Sequence, residues 1–408
     1  MRRAPRQRSL VRGKFLIFLA ARTVDLTGSA MTPVVLPLAI LGATGSVTDA
    51  GLVAASSMIP TIAFMVLGGA VADRFPRRTL LCVTGVAAAV MQACIGALLV
   101  TDHYELWTVM TLSVGSGVVS AFSGPALRGI VPELVPTTEL QRANALLASA
   151  GSAVRLGGPL LAGLLVATVG GGWALLADAL TSLSAAVGYL LLPTAGHPAV
   201  TPRLLGALAA GWRAFSSTPW IWVSSISFAV INAANVAPLQ IVGAAIVAPA
   251  LGAVAWGALL SGRILGMLVA GAALLKWQLK SPLITGRLFG LLGALPFLGF
   301  ALTQNFPLLL ALSVLSGVGF SVLAVTYDTT LHSSVPLARL SSVSAWDDLF
   351  AFAAIPVAQL LIGPIATQLG NQTLTIWCGI LLLAATAVPL AIPSLRAMSR
   401  RVGASTRG

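Results

Sequence analysis

Gly68-Gly69-Ala70-Val71-Ala72-Asp73-Arg74-Phe75-Pro76-Arg77-Arg78 places one carboxylate and three guanidiniums between two long apolar runs. A segment this short, basic and rich in Gly and Pro cannot cross hydrocarbon. It reads as a tight hairpin between two membrane helices, on the face where positive charge accumulates.

The rest of the chain agrees with that reading. Of 408 residues, 57% are hydrophobic and 9% charged, and the mean hydropathy is +0.95. A helix needs about 20 apolar residues to cross about 30 Å of hydrocarbon. Twelve such runs are predicted, at 15–41, 50–72, 79–101, 105–127, 143–167, 172–193, 219–243, 250–275, 282–303, 307–328, 343–367 and 372–393. The first follows a basic arm but is too long for a signal-peptide core, so it reads as an uncleaved helix.

The net charge of +13 is a topology signal rather than a nucleic-acid footprint. With Met1 placed inside, the basic residues fall in the N-terminal arm, the inner loops and the tail. Arg287 is counted with the inner loops, beside Lys276 and Lys280. The outer loops hold Asp49, Asp102, His103 and Glu105 and no Lys or Arg. Both termini are therefore expected to be cytoplasmic. Cys82, Cys94 and Cys378 have no metal-ligand spacing, and no cofactor or metal is expected. Lys14, Lys276 and Lys280 stand in no phosphate-binding loop, so ATP hydrolysis is not expected.

The expected organisation is two six-helix bundles, 1–193 and 219–408, joined by a linker at 194–218. Leu204, Leu208, Trp212 and Phe215 give that linker an amphipathic helical face. Val135-Pro136 recurs as Val335-Pro336, 200 residues later, and each pair precedes an Arg (Arg142, Arg339) and a helix holding Pro159 or Pro356. Duplicated halves are a recurrent transporter plan. The fold class is thus an all-α polytopic membrane protein of two pseudo-symmetric bundles.

Gly69, Asp73, Arg74, Arg77 and Arg78 resemble the signature between helices two and three of the major facilitator superfamily, with Pro76 in place of its second glycine. Asp25 after Ala21-Arg22, Thr44-Gly45-Ser46, and Pro132-Glu133-Leu134-Val135-Pro136 before Arg142-Ala143-Asn144 resemble its bacterial drug and siderophore exporter branch. Gly157-Gly158-Pro159 with Gly163 resembles the Gly-Pro motif of antiporters, although Val154 stands where the longer motif has a glycine. The resemblance implies a secondary-active exporter of small hydrophobic or amphipathic compounds in a bacterial plasma membrane. It also implies a conformational latch in which Asp73 faces the N-terminus of helix eleven, expected near Ser341-Ser342. An importer on the same fold is the near alternative; an intramembrane enzyme or a transport-dead sensor is remote.

Intramembrane charges are expensive and point to function or pairing. Arg22 and Asp25 lie three apart, on one helix face, and Asp25 is the first choice for proton coupling. Arg155 and Arg263 fall near the centres of their spans, with Asp178, Asp328, Asp347 and Asp348 as possible partners. Asp178 could cap helix six, and Asp347 and Asp348 could serve the dipole of helix eleven. Gln92, Asn232, Asn235, Gln240 and Gln359 could line a cavity or bond between helices. Trp173, Trp220 and Trp222 read as interfacial belt residues, while Trp256 and Trp346 are expected to pack. The few acids favour apolar or weakly cationic substrates. Expected partners are a small molecule, protons and the bilayer, with the protein a monomer.

Overall fold

The computed structural model describes residues 5–72, 74–193, 212–213, 215–277, 279 and 281–392. Twelve helices long and apolar enough to span a membrane are described: α1 (Pro5–Thr44), α2 (Val47–Ala72), α3 (Arg77–Val100), α4 (Leu106–Leu134), α5 (Leu140–Val169), α6 (Gly171–Leu190), α7 (Pro219–Leu251), α8 (Ala253–Leu274), α9 (Pro282–Leu302), α10 (Phe306–Ser334), α11 (Leu337–Leu369) and α12 (Asn371–Ala387). They fall into two compact units, Met1–Thr201 and Pro202–Gly408.

Helix ends follow local chemistry. Gly45 ends α1 at φ 66°, a left-handed conformation that glycine adopts without a Cβ penalty. Ser46 then opens α2: its hydroxyl accepts the Asp49 amide at 3.1 Å and donates to the Asp49 carboxylate at 2.9 Å. Asn305 caps α10 by accepting the Leu308 amide at 3.0 Å. Inside α7, Pro238–Gly243 forms a π-turn. Pro238 has no N–H to donate, and the wider turn accommodates its ring.

The principal helix contacts of one unit recur in the other. In the first, α2 packs on α4, α3 on α4 and α6, and α1 on α5 and α6; in the second, α8 packs on α10, α9 on α10 and α12, and α7 on α11 and α12. The α2–α4 and α8–α10 contacts both depend on bare glycine backbone. A methyl on Gly117 would overlap the Ser57 carbonyl, and one on Gly317 would overlap the Arg263 carbonyl. Small residues at such crossings let membrane helices approach closely.

Four expectations need correction. Helix α11 starts at Leu337, directly after Pro336, so Ser341-Ser342 lie in its second turn and cannot cap it. Asp347 lies nearly three turns from Leu337, too deep to serve the helix dipole. Arg287 belongs to α9, not to a loop, and is 2% exposed. Trp220 is buried against Tyr327, whereas Trp222 and Trp173 remain exposed. Trp256 packs against Phe300, and Trp346 against Trp212, as expected. Residues 194–211, including Leu204 and Leu208, lie outside the described residues, as does Asp73.

Candidate functional site

In the first unit the charge network centres on Asp178. It sits in the middle of α6, 3% exposed, and therefore caps nothing. Its carboxylate accepts the Thr32 hydroxyl at 2.7 Å and the Gln92 amide at 2.8 Å. Gly28 makes the room, since a methyl there would collide with the Asp178 carboxylate and the Thr181 hydroxyl. Asp178, Thr32 and Gln92 line a cavity of about 280 Å³ with Ser29, Ser113 and Ser116. The hydroxyls of Ser113 and Ser116 are buried without partners. The chamber offers room and polar partners for several waters at roughly 30 Å³ each. Among the described residues its carboxylate is held by neutral donors alone.

Asp25 is held differently. It forms an ion pair with Arg22 one turn away on α1, both side chains keeping partial exposure. Arg22 lines a second, larger cavity of about 500 Å³ together with Phe18, Leu26, Asn144, Leu147 and Arg155. Arg155 projects there from the middle of α5 and makes no ion pair or hydrogen bond among the described residues. Two turns of the same helix carry the Gly-Pro motif. Gly158 meets Ala30 of α1 where a methyl would not fit, and Pro159 and Gly163 are buried. Gly157 has open space beside it.

The second unit also satisfies its charges with neutral groups. Asp347 accepts the Ser225 hydroxyl and, at 2.8 Å, the Tyr327 hydroxyl. Arg287 donates to the Ser227 hydroxyl and lies 5.1 Å from the Phe228 ring centroid. One of its terminal nitrogens is buried and unpartnered. Arg263 donates to Asn235 at 3.0 Å and lies 4.5 Å from the Phe320 ring centroid. No ion pair joins Arg155 or Arg263 to Asp178, Asp328, Asp347 or Asp348 among the described residues. Asp328 and Asp348 are exposed on their helices. Asn232 donates to the Ala351 carbonyl at 2.9 Å, an interhelical bond. Gln240 lies in the π-turn, and Gln359 is buried with its carbonyl oxygen unpartnered. Ser225, Ser227 and Tyr327 were not singled out in the sequence, and Arg287 was read as an inner-loop residue. Only Arg287 carried a signal, a guanidinium inside an apolar run.

Around the hairpin, Arg77 joins α3 to α4. Its guanidinium donates to the Gly129 carbonyl and pairs with Glu133 at 3.0 Å. It occupies the space that a side chain at Gly129 would fill. Arg74 is exposed and Gly69 belongs to the last turn of α2. No group of three or more His, Cys, Asp or Glu able to hold a metal occurs among the described residues.

Comparison with known proteins converges on one family. The profile described as Major Facilitator Superfamily matches residues 18–355. The multidrug efflux pump Tap of Mycolicibacterium fortuitum is 24% identical over 405 residues, covering 94% of this chain and 97% of that protein. Its namesake in Mycobacterium tuberculosis is 30% identical over 217 residues, about half of each chain (50% and 51%). Among solved structures, the nucleoside transporter NupG aligns with a TM-score of 0.77 at 12% identity, covering 93% of this chain and 99% of that one. A bacterial homologue of the iron transporter ferroportin, in an inward-facing state, gives 0.72 at 16%, covering 92% and 98%. Twelve apolar helices in two matching units, and a profile match across most of the chain, make this protein a member of the Major Facilitator Superfamily, a multi-pass membrane transporter of small molecules.

Proposed function

We propose that this chain is a proton-coupled exporter of small hydrophobic or amphipathic compounds, working by alternating access in a bacterial plasma membrane with its basic loops on the cytoplasmic side. The similarity to an efflux pump over 94% of the chain supports export. The observation that carries the coupling is the setting of Asp178, a buried carboxylate held by the Thr32 hydroxyl and the Gln92 amide in a chamber with room for water. Protonating Asp25 would leave the Arg22 guanidinium without its counter-ion. Protonating Asp178 leaves no charge stranded, which favours Asp178 over Asp25 as the coupling group. Asp347, likewise held by hydroxyls, is the corresponding candidate in the second unit.

The 73–78 hairpin serves this cycle as a gating element. Arg77 ties it to α4 through Gly129 and Glu133, so movement of the hairpin and of α4 is coupled.

A toxic-compound panel tests this reading, using a pump-deficient bacterial strain that expresses the chain. Expression should raise the tolerated concentration of at least one amphipathic compound, and Asp178→Asn should abolish the gain at equal membrane abundance. Resistance that survives Asp178→Asn would show coupling elsewhere, and sensitisation instead of resistance would point to import.

A further inference from the structure

We propose that the cavity lined by Arg22 and Arg155 selects amphipathic compounds bearing an anionic head, with Arg155 as the group that binds it. This deepens the exporter reading by naming a substrate class. The cavity measures about 500 Å³, within the range of small-molecule sites. Its walls are apolar except for Arg22, Arg155 and Asn144. Arg22 already has its carboxylate in Asp25, while Arg155 has no partner among the described residues. The cavity therefore carries an uncompensated positive charge in the middle of a membrane helix. No Asp or Glu lines it among the described residues.

Composition alone pointed to apolar or weakly cationic substrates, but the local charge is positive and repels a cation. A guanidinium offers a planar fork that matches a carboxylate or sulfonate with two parallel hydrogen bonds. Gly124, Ala148 and Gly151 leave part of the lining without bulk, which suits a flat apolar body. Phe18, Leu26 and Leu147 supply apolar contact around it. Arg155 thus reads the head of the molecule, and the apolar wall accepts its body without discriminating its shape.

Binding of three probes with one fluorophore tests the assignment in the purified full chain, in uncharged detergent and with no proton gradient. Dansylglycine is anionic, dansylamide neutral and dansylcadaverine cationic. The wild type should bind dansylglycine about ten-fold more tightly than dansylcadaverine, the size of one charge-assisted hydrogen bond. Arg155→Gln should remove that advantage and leave dansylamide binding unchanged. Equal wild-type binding of the anionic and cationic probes overturns the proposal, whether or not the variant folds. So does an Arg155→Gln protein that weakens all three alike or none. Because the assay needs no gradient, anion-selective binding in a protein that fails to export would sink the exporter reading alone.

Discussion

Thr32 and Asp178, 146 positions apart, are joined by a 2.7 Å hydrogen bond from hydroxyl to carboxylate that links α1 to α6. The bond exists because Gly28, one turn before Thr32, has no side chain to fill the space the carboxylate occupies. The chamber, its charge and the packing of the first unit meet at this point.

Gly28→Ala should therefore damage the protein more than removal of either donor. The methyl displaces the Asp178 carboxylate, at a cost of about 1–3 kcal/mol typical of overpacking. Thr32→Val or Gln92→Leu should each cost only about 0.6 kcal/mol, the mean for interhelical hydrogen bonds in membranes. Thermal unfolding in detergent measures the order; equal losses for all three variants would contradict it.

The clasp at Arg77 makes a separate prediction. Glu133→Gln keeps shape and removes charge, and should lower stability by about 1 kcal/mol, since both partners are partly exposed. Gly129→Leu fills the site of the guanidinium and should cost more while impairing transport at normal expression. Unchanged transport in a well-expressed Gly129→Leu protein would remove the clasp from the gating account.

In the second unit, Tyr327→Phe removes one of the two hydroxyls on Asp347 and should destabilise by about 0.6 kcal/mol, as for either donor on Asp178. Ser225→Ala should act in the same direction, and the double variant should show coupling, because both donors serve one carboxylate oxygen. Additive losses would mean that the two hydroxyls act independently.

In the turn between α3 and α4, Tyr104 donates to Asp49 at 3.2 Å. Burial, and then the adjacent carboxylate, push its phenol above the usual tyrosine range. A raised folded-state value means that its contribution is complete below about pH 10, where the unfolded phenol begins to ionise, and is lost above that. The stability difference between wild type and Tyr104→Phe should stay constant from about pH 7 to 9 and shrink only beyond about pH 10. A difference that already falls near neutrality would show that the phenol is not the titrating group.

The helices were legible because a spanning helix must bury its backbone polar groups and face lipid with apolar residues, which leaves long unbroken runs. Limits agreed to within a few residues for α2, α3, α5, α6, α8 and α9, whereas α1 starts earlier, at Pro5, and α4, α7 and α10 run on to Leu134, Leu251 and Ser334. The repeat was legible in Val135-Pro136 and Val335-Pro336, where Val135 and Val335 end α4 and α10, and the structure extends it to Gly170 and Gly370, both at positive φ between paired helices. Partnerships were less so. Arg263 seemed to need a carboxylate, yet Asn235 and the face of Phe320 satisfy it. Asp347 is served by Ser225, 122 positions away, a pairing set by the α7–α11 contact and not by local sequence. The start of α11 was misplaced because Ser341-Ser342 carry good capping chemistry, while Pro336 had already opened the helix.

Proton movement driven by substrate tests the central claim most directly. The full chain is reconstituted into proteoliposomes loaded with a pH-sensitive dye, and compounds that it binds are added under an imposed substrate gradient. At least one should drive protons in the opposite direction, and Asp178→Asn should bind that compound normally but move no protons. Wild-type substrate flux with no proton flux, or unchanged proton flux in Asp178→Asn, would contradict the account.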